Sequence, residues 1–399
     1  WKADDARPFS VFQASHRNGK HERTMKGPVL ELAYVPASRQ FSLSMVGMDG
    51  KRFAAKGTGD EAAYRTACRT VRDDWADHPA VCGFYVYDEP DAPVASATFR
   101  AACIQLEEMP GKEPFLNLLP FAKSLAKRIG SDELQPYLDR CARESGLKFF
   151  GYDCYSQQER QGKGLDFYFS NLRGWGEFAK RSNCRWNTTL LCSPHFNYEL
   201  NAPDDFRWQI STAAAMGANG ICWFYPDHHT GAHVNYRDAP IDMFGERTET
   251  FAWMSREMRA FQRRYGAEFA RLRFEDASMV ACSHGGVREF AGDADLVDVR
   301  GTTDPKAPLL VSFFTDSQNV RYAAIVNLHQ DREGSRNVRL AFAKGVTPYT
   351  RGWKDWRRLV LSRDPGLART IGNENAETKL NIYLAPGQLE LIRLTTGNP

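Results

Sequence analysis

The chain has 399 residues, 42% hydrophobic and 25% charged, the balance of an ordinary globular protein with room for two or three domains or for one large barrel with an appendage. The net charge is only +3, and its basic and acidic residues are interspersed, so no basic stripe or tail points to nucleic acid. No apolar run approaches the ~18 residues of a membrane span.

From the N-terminus, 8–16 reads as a strand, 28–35 is ambiguous, and 40–47 reads as a strand. Residues 61–78 carry helical periodicity, with Asp60 placed as an N-cap. A strand from Val81 to Tyr87 follows, then a helix at 94–109, a strand at 113–120, a helix at 132–145 and a strand at 147–155. The series continues with a helix at 167–182, a strand at 185–195, a helix at 204–217, a strand at 220–229 and a long amphipathic helix at 249–269. Strands alternating with helices imply parallel βα units. With the three early candidates the strands number eight, which predicts a (β/α)8 TIM barrel over 1–272. Only residues 17–28 separate the first two candidates, so the early barrel is expected to be irregular. After 272 short strand-like runs follow one another with turn residues between them, and 273–399 reads as an antiparallel β-sandwich.

Within this pattern "VCGFYVYDEPDAP" stands out, because a buried-looking run ends in Asp88, Glu89 and Pro90. Carboxylates at the end of a buried strand cost desolvation energy, so they need partners or a task. Barrel chemistry sits where strands end at the C-terminal face. The ends counted here offer His16, Tyr87, Asn117, Tyr152, Asp153, Tyr155, Ser193, His195, Trp223, Tyr225, His228 and His229. Rings, amides, imidazoles and carboxylates on one rim suit a neutral, hydroxyl-rich substrate. Phosphate is not suited, since neither GxGxxG nor GxxxxGK[ST] occurs.

"DHPAVCGFYVYDEP" resembles the fourth-strand segment of (β/α)8 glycoside hydrolases, in which Asn-Glu-Pro or Asp-Glu-Pro carries the general acid/base. "EPFLNLLP", "FFGYDCY" and "AAAMGANGICWFYP" resemble further strand segments of bacterial sugar hydrolases with a C-terminal sandwich. The likeness covers 75–270 in pattern and the remainder in architecture. It implies hydrolysis of glycosidic bonds in a poly- or oligosaccharide, with Glu89 as acid/base and no cofactor. The chain departs from the group that places a glutamate after the seventh strand: "LLCSPH" has no acid there, and Glu199 follows only on a loop. Asp153 is therefore the expected nucleophile or base, with Asp88 as the alternative.

Each residue also has a plainer reading. Asp88 can cap the turn into the next helix, Glu89 can be structural, Asp153 can stabilise its loop, and Asn117 can be a strand-end hydrogen bonder. Trp223 and Tyr225 suit a sugar face or a core. Asp227, His228, His229 and His233 offer a metal-dependent alternative, although Pro226 and Gly231 make that stretch a loop. A non-catalytic carbohydrate-binding barrel is the other rival. Arg185, Arg207 and Arg237 keep an acidic or sulfated polysaccharide in the substrate class. Nine cysteines, mostly in apolar stretches and without a CxxC pair, read as buried thiols, with one or two disulfides open to an exported protein. The chain begins at Trp1 rather than Met, and a secreted or periplasmic location is expected.

Overall fold

The computed structural model describes residues 29–35, 40–45, 61–75, 81–159, 162–226, 236–330, 334–351, 356–358, 370–371 and 378–396. They fall into two compact units. The first comprises Trp1–Arg160, Glu177–Tyr198 and Ala218–Ser255; the second comprises Gln161–Gly176, Glu199–Gly217 and Arg256–Pro399.

The first unit holds a closed barrel of strands β1 (Val29–Val35), β2 (Gln40–Met45), β3 (Val81–Asp88), β4 (Glu113–Leu118), β5 (Phe149–Asp153), β6 (Arg185–Leu191) and β7 (Gly220–Phe224). From β2 to β7 each strand pairs in parallel with the next. β1 runs antiparallel to both β2 and β7. This corrects the expected eight-stranded parallel barrel: among the described residues seven strands close it, and one is reversed. The reason is loop length. Residues 36–39 alone join β1 to β2, whereas a parallel crossover needs about a dozen residues or more. The candidate strand at 8–16, with His16, lies outside the described residues.

Helix α1 (Glu61–Trp75) precedes β3 and α2 (Ala92–Glu108) follows it, with proline in the first turn of α2, where a missing N–H is harmless. α2 buries Ala95, Phe99, Ala102 and Gln105, and the Gln105 amide donates to the backbone oxygen of Tyr85 at 3.3 Å. α3 (Leu134–Ser145) and α4 (Leu165–Ser182) precede β5 and β6. Inside the barrel, Tyr85, Phe115, Phe149 and Cys222 form a buried plug, with the Tyr85 and Phe115 rings 5.1 Å apart. Directly above it Gly151 is required, since a Cβ there would lie 2.5 Å from both the Phe115 ring and Asn187 Oδ1.

In the second unit, β8 (Arg273–Val280) opens the run of strands. One sheet has the order β15 (Trp356–Arg358), β14 (Val346–Arg351), β18 (Leu389–Thr396), β12 (Arg321–Asn327), β11 (Leu309–Thr315), β8 and β9 (Arg288–Glu289), and the other the order β10 (Leu296–Gly301), β13 (Arg336–Phe342), β17 (Thr378–Leu384) and β16 (Thr370–Ile371). Every pairing is antiparallel except β8 with β9. Leu309, Val311 and Phe313 of β11 (Leu309–Thr315) face Val338, Leu340 and Phe342 of β13 (Arg336–Phe342) and Leu380, Ile382 and Leu384 of β17 (Thr378–Leu384) in one core. The period of two is that of a sandwich interior. β11 and β12 (Arg321–Asn327) are also buried on their other face, where α5 (Pro203–Ala215) packs within this unit. The Trp208 indole N–H of α5 donates to Leu328 O at 2.9 Å.

Candidate active site

The acids meet because of an irregularity in β3. Tyr85 pairs with Phe115, but Tyr87 pairs with Leu116, so Val86 is one residue more than β4 can match. Such a bulge resets the inward–outward alternation. Tyr85 and Asp88, three apart, would otherwise point to opposite faces. Instead the Tyr85 hydroxyl donates to Asp88 Oδ1 at 3.0 Å. The chain then leaves the strand through Glu89 at φ +48°, a left-handed conformation sparsely populated by residues with a side chain. Its amide still donates to Asn117 O at 2.9 Å, which holds the turn against β4.

Asn117 is the joint of the site. It is the last residue but one of β4, two residues after inward-facing Phe115, and its buried Nδ2 donates to Asp88 Oδ1 at 3.0 Å and to Asp153 Oδ1 at 3.2 Å. Asp153 ends β5, two residues after Gly151 and four after Phe149. Thus three adjacent parallel strands deliver Asp88, Asn117 and Asp153 to one end of the barrel interior. The Glu89 carboxyl is hydrogen-bonded to Asp153, and the Tyr155 hydroxyl also bonds Asp153. Arg128 closes the outer side, with Nη2 3.2 Å from Glu89 Oε2 and Nε 2.5 Å from Asp91 Oδ1.

The electrostatics follow from crowding. Burial, then the Asp88 charge, raises the Glu89 pKa above the ordinary glutamate value, against the pull of Arg128. Asp153 is raised well above its ordinary value, by burial first and by the charges of Glu89 and Asp88 next. Like charges held together in a buried place are costly to ionise, so each carboxyl holds its proton more tightly than it would alone. Asp88 is exposed and takes two neutral donors on one oxygen.

Beside Asp153 lies a group of rings. Tyr155 stacks on Phe224 at 5.4 Å and meets His195 and Tyr198 edge-on at 5.7 and 6.0 Å. His195 also touches Tyr236 at 5.0 Å, and Tyr225 touches Phe224 at 5.5 Å. His195 Nδ1 is 2.9 Å from Ser193 O; a carbonyl only accepts, so Nδ1 carries the proton. Burial lowers the His195 pKa, which leaves a neutral ring with Nε2 as an acceptor.

Of the expected site residues, Asp88, Glu89, Asn117, Asp153 and Tyr155 are brought together, with His195 and Tyr225 on the adjoining rings. Tyr152 is not with them. It alternates to the outer face of β5, fully buried against Trp186 at 5.9 Å. Trp223 alternates outward between Cys222 and Phe224 and is buried, and Tyr87 alternates away from Asp88. His16, His228 and His229 lie outside the described residues, as do Asp227 and His233. Among the described residues no group of three or more His, Cys, Asp or Glu is set to hold a metal ion. Arg185 stands at the start of β6, paired with Glu113 at the start of β4, the opposite end of the strands from the acids. Arg207 belongs to the second unit and pairs with Asp204 at 2.5 Å. Arg237 donates to Tyr198 O at 2.9 Å. Eight cysteines among the described residues are free.

No family model matches the chain. No curated protein matches it in sequence. Among solved structures it is similar to a catalytic mutant of a GH42 beta-galactosidase from G. stearothermophilus, with a TM-score of 0.53 at 8% identity over 94% of this chain and 86% of that one. The fold is one that glycoside hydrolases use. Further matches are a GH27 β-L-arabinopyranosidase from Geobacillus stearothermophilus (TM-score 0.39, 11% identity, 84% of this chain and 62% of that) and a beta-galactosidase from a Rahnella species (TM-score 0.42, 12% identity, 65% and 46%). The chain thus spans less than two thirds of the length of these two. At 8% identity the likeness to the GH42 structure is one of fold, and no family is assigned.

Sequence reading missed Arg128, Tyr198, Tyr236 and Phe196. Arg128 lies 39 residues from Glu89 with no local pattern linking them. Phe196 and Tyr198 flank His195 in "SPHFNYE", and a run of rings just after a strand end was a readable signal.

Proposed function

We propose that this protein hydrolyses glycosidic bonds of a poly- or oligosaccharide, with Glu89 as general acid/base and Asp153 as nucleophile. The observation that carries this is the hydrogen-bonded Glu89–Asp153 pair at the ends of β3 and β5, the two strands that flank β4, with both carboxyls raised above their ordinary pKa. Asn117 and Tyr155 bond the Asp153 carboxylate, which favours its anion when substrate separates the pair. Glu89 then holds the proton and gives it to the glycosidic oxygen as that bond breaks, while Asp153 attacks the anomeric carbon to form a glycosyl ester. Water, deprotonated by Glu89, attacks the same carbon and releases Asp153. Carboxyls near enough to hydrogen-bond stand closer than the roughly 6.5–9.5 Å separation of inverting enzymes, which favours retention.

The substrate class this site suits is neutral. Arg185 and Arg207 stand elsewhere, and Arg128 is taken up by Glu89 and Asp91, so the expectation of an acidic or sulfated polymer finds no support at the acids. The catalytic barrel is the part read from sequence as 1–272, and the location expected with a polymer substrate is secreted or periplasmic.

The test is reducing-end release from a panel of neutral and sulfated polysaccharides by wild type and E89Q. Wild type is expected to cut at least one neutral polymer, and E89Q to lose about 100-fold or more while still binding it. Equal rates would remove Glu89 from the mechanism, and an inverted product anomer by NMR would remove Asp153 as nucleophile. EDTA is expected to leave the rate unchanged; a loss would bring forward the metal reading of residues 227–233. Binding by both proteins without cleavage by either would establish the non-catalytic alternative.

A further inference from the structure

Phe196 is exposed where an apolar ring has no structural reason to be. It is 61% exposed, while its neighbour His195 is 3% exposed. Its φ is +47°, a left-handed conformation that a bulky side chain rarely adopts. Exposure of a phenyl ring and a left-handed backbone both cost free energy, and burial of the ring elsewhere would relieve the first. The surrounding loop nevertheless holds the ring outward. Tyr198 N donates to His195 O at 2.9 Å, Arg237 N donates to Pro194 O at 3.0 Å, and Arg237 Nη2 donates to Tyr198 O at 2.9 Å. Both sides of Phe196 are therefore tied. A ring held outward in a left-handed conformation by bonds on both sides is the pattern of a binding residue.

A chain of contacts leads from this ring to the acids. Phe196 meets His195 edge-on at 5.2 Å, His195 meets Tyr155 at 5.7 Å, and Tyr155 bonds Asp153. The ring is thus linked to the proposed nucleophile through His195 and Tyr155 and is not itself among the contact partners of Asp153. A pyranose presents C–H groups on one face and hydroxyls on its edge. A rigid aromatic ring fits that face.

We propose that Phe196 is the platform of a neighbouring subsite, stacking on a neutral sugar unit next to the one that reacts, so that the protein acts on chains rather than single glycosides. This rests on the hydrolase reading above. The test compares wild type, F196A and F196W on glycosyl fluorides, which have no second sugar, and on neutral oligosaccharides of two to six units. Calorimetric binding of the same oligosaccharides is measured in the E89Q background. The expected F196A loss in kcat/KM is at least tenfold greater on oligosaccharides than on the fluoride, with F196W restoring most of it and F196A weakening binding in E89Q. Equal losses on all substrates, or no loss on any, would overturn the platform while leaving hydrolysis standing. Weaker binding by F196A in a protein that cleaves nothing would keep the platform and remove the hydrolase. Absence of binding to every oligosaccharide would overturn both.

Discussion

Asp153 sits where a charge is costly, and this has a consequence for stability. Burial and the neighbouring acids raise its pKa in the folded protein, while the unfolded chain restores the ordinary value, near 3.9. A raised carboxyl pKa means that the folded state binds the proton more tightly. Its contribution is therefore favourable at low pH and is lost as pH rises through the folded pKa. D153N removes that loss and keeps an oxygen for Asn117 and Tyr155. We expect D153N to melt above wild type near pH 7, the gap closing toward about pH 4, with turnover abolished. Melting curves that stay parallel at all pH values would contradict the raised pKa of Asp153. Arg128 acts on the same pair from outside, since its charge and hydrogen bond pull the Glu89 pKa down. R128M is expected to shift the alkaline limb of the kcat/KM profile upward. An unmoved limb would reduce Arg128 to a brace for Asp91.

At the scale of elements, the bulge at Val86 and the close approach of β3 to β4 place the acids. Gly83 is where the two strands come nearest: a Cβ there would lie 1.7 Å from Glu113 O. G83A must push the strands apart, and we expect it to cost about 2 kcal/mol or more in thermal or urea unfolding. The same displacement is expected to lower turnover, because the Tyr85–Asp88–Asn117 bonds span this pair of strands. A stable and fully active G83A would contradict that geometry. The β1–β2 hairpin shows a different kind of legibility. Four connecting residues were visible in the sequence and already excluded a parallel crossover, so the reversed strand was readable from loop length although not from hydrophobic pattern. The bulge had no such signal, since an apolar run with one extra residue looks the same as one without.

For the molecule as a whole, net charge and local charge disagree. The chain carries +3, yet Asp88 and Asp153 meet at Asn117 while Glu89 and Asp91 share the single cation of Arg128. The local field repels anions, and it is screened over about 10 Å at 0.1 M salt. Sulfated polymers are therefore expected to be poorer substrates than neutral ones of the same backbone, with a deficit that shrinks as salt is raised from about 0.01 to 0.15 M. A preference for the sulfated form at low salt would contradict this. Composition, the alternation of strands and helices, and the later run of strands each follow from local periodicity. That periodicity determined a βα-repeat barrel, a β-rich second part and acids at strand ends, because burial acts on each element separately. Which face each residue occupies was beyond it. Tyr152 and Asp153 are adjacent in sequence, yet one packs outside on Trp186 and the other joins the acids inside. Only tertiary structure decided that, along with the partnership of Arg128 and Glu89 and the outward ring of Phe196. These depend on strand register and on contacts between distant segments, which a sequence read residue by residue does not contain.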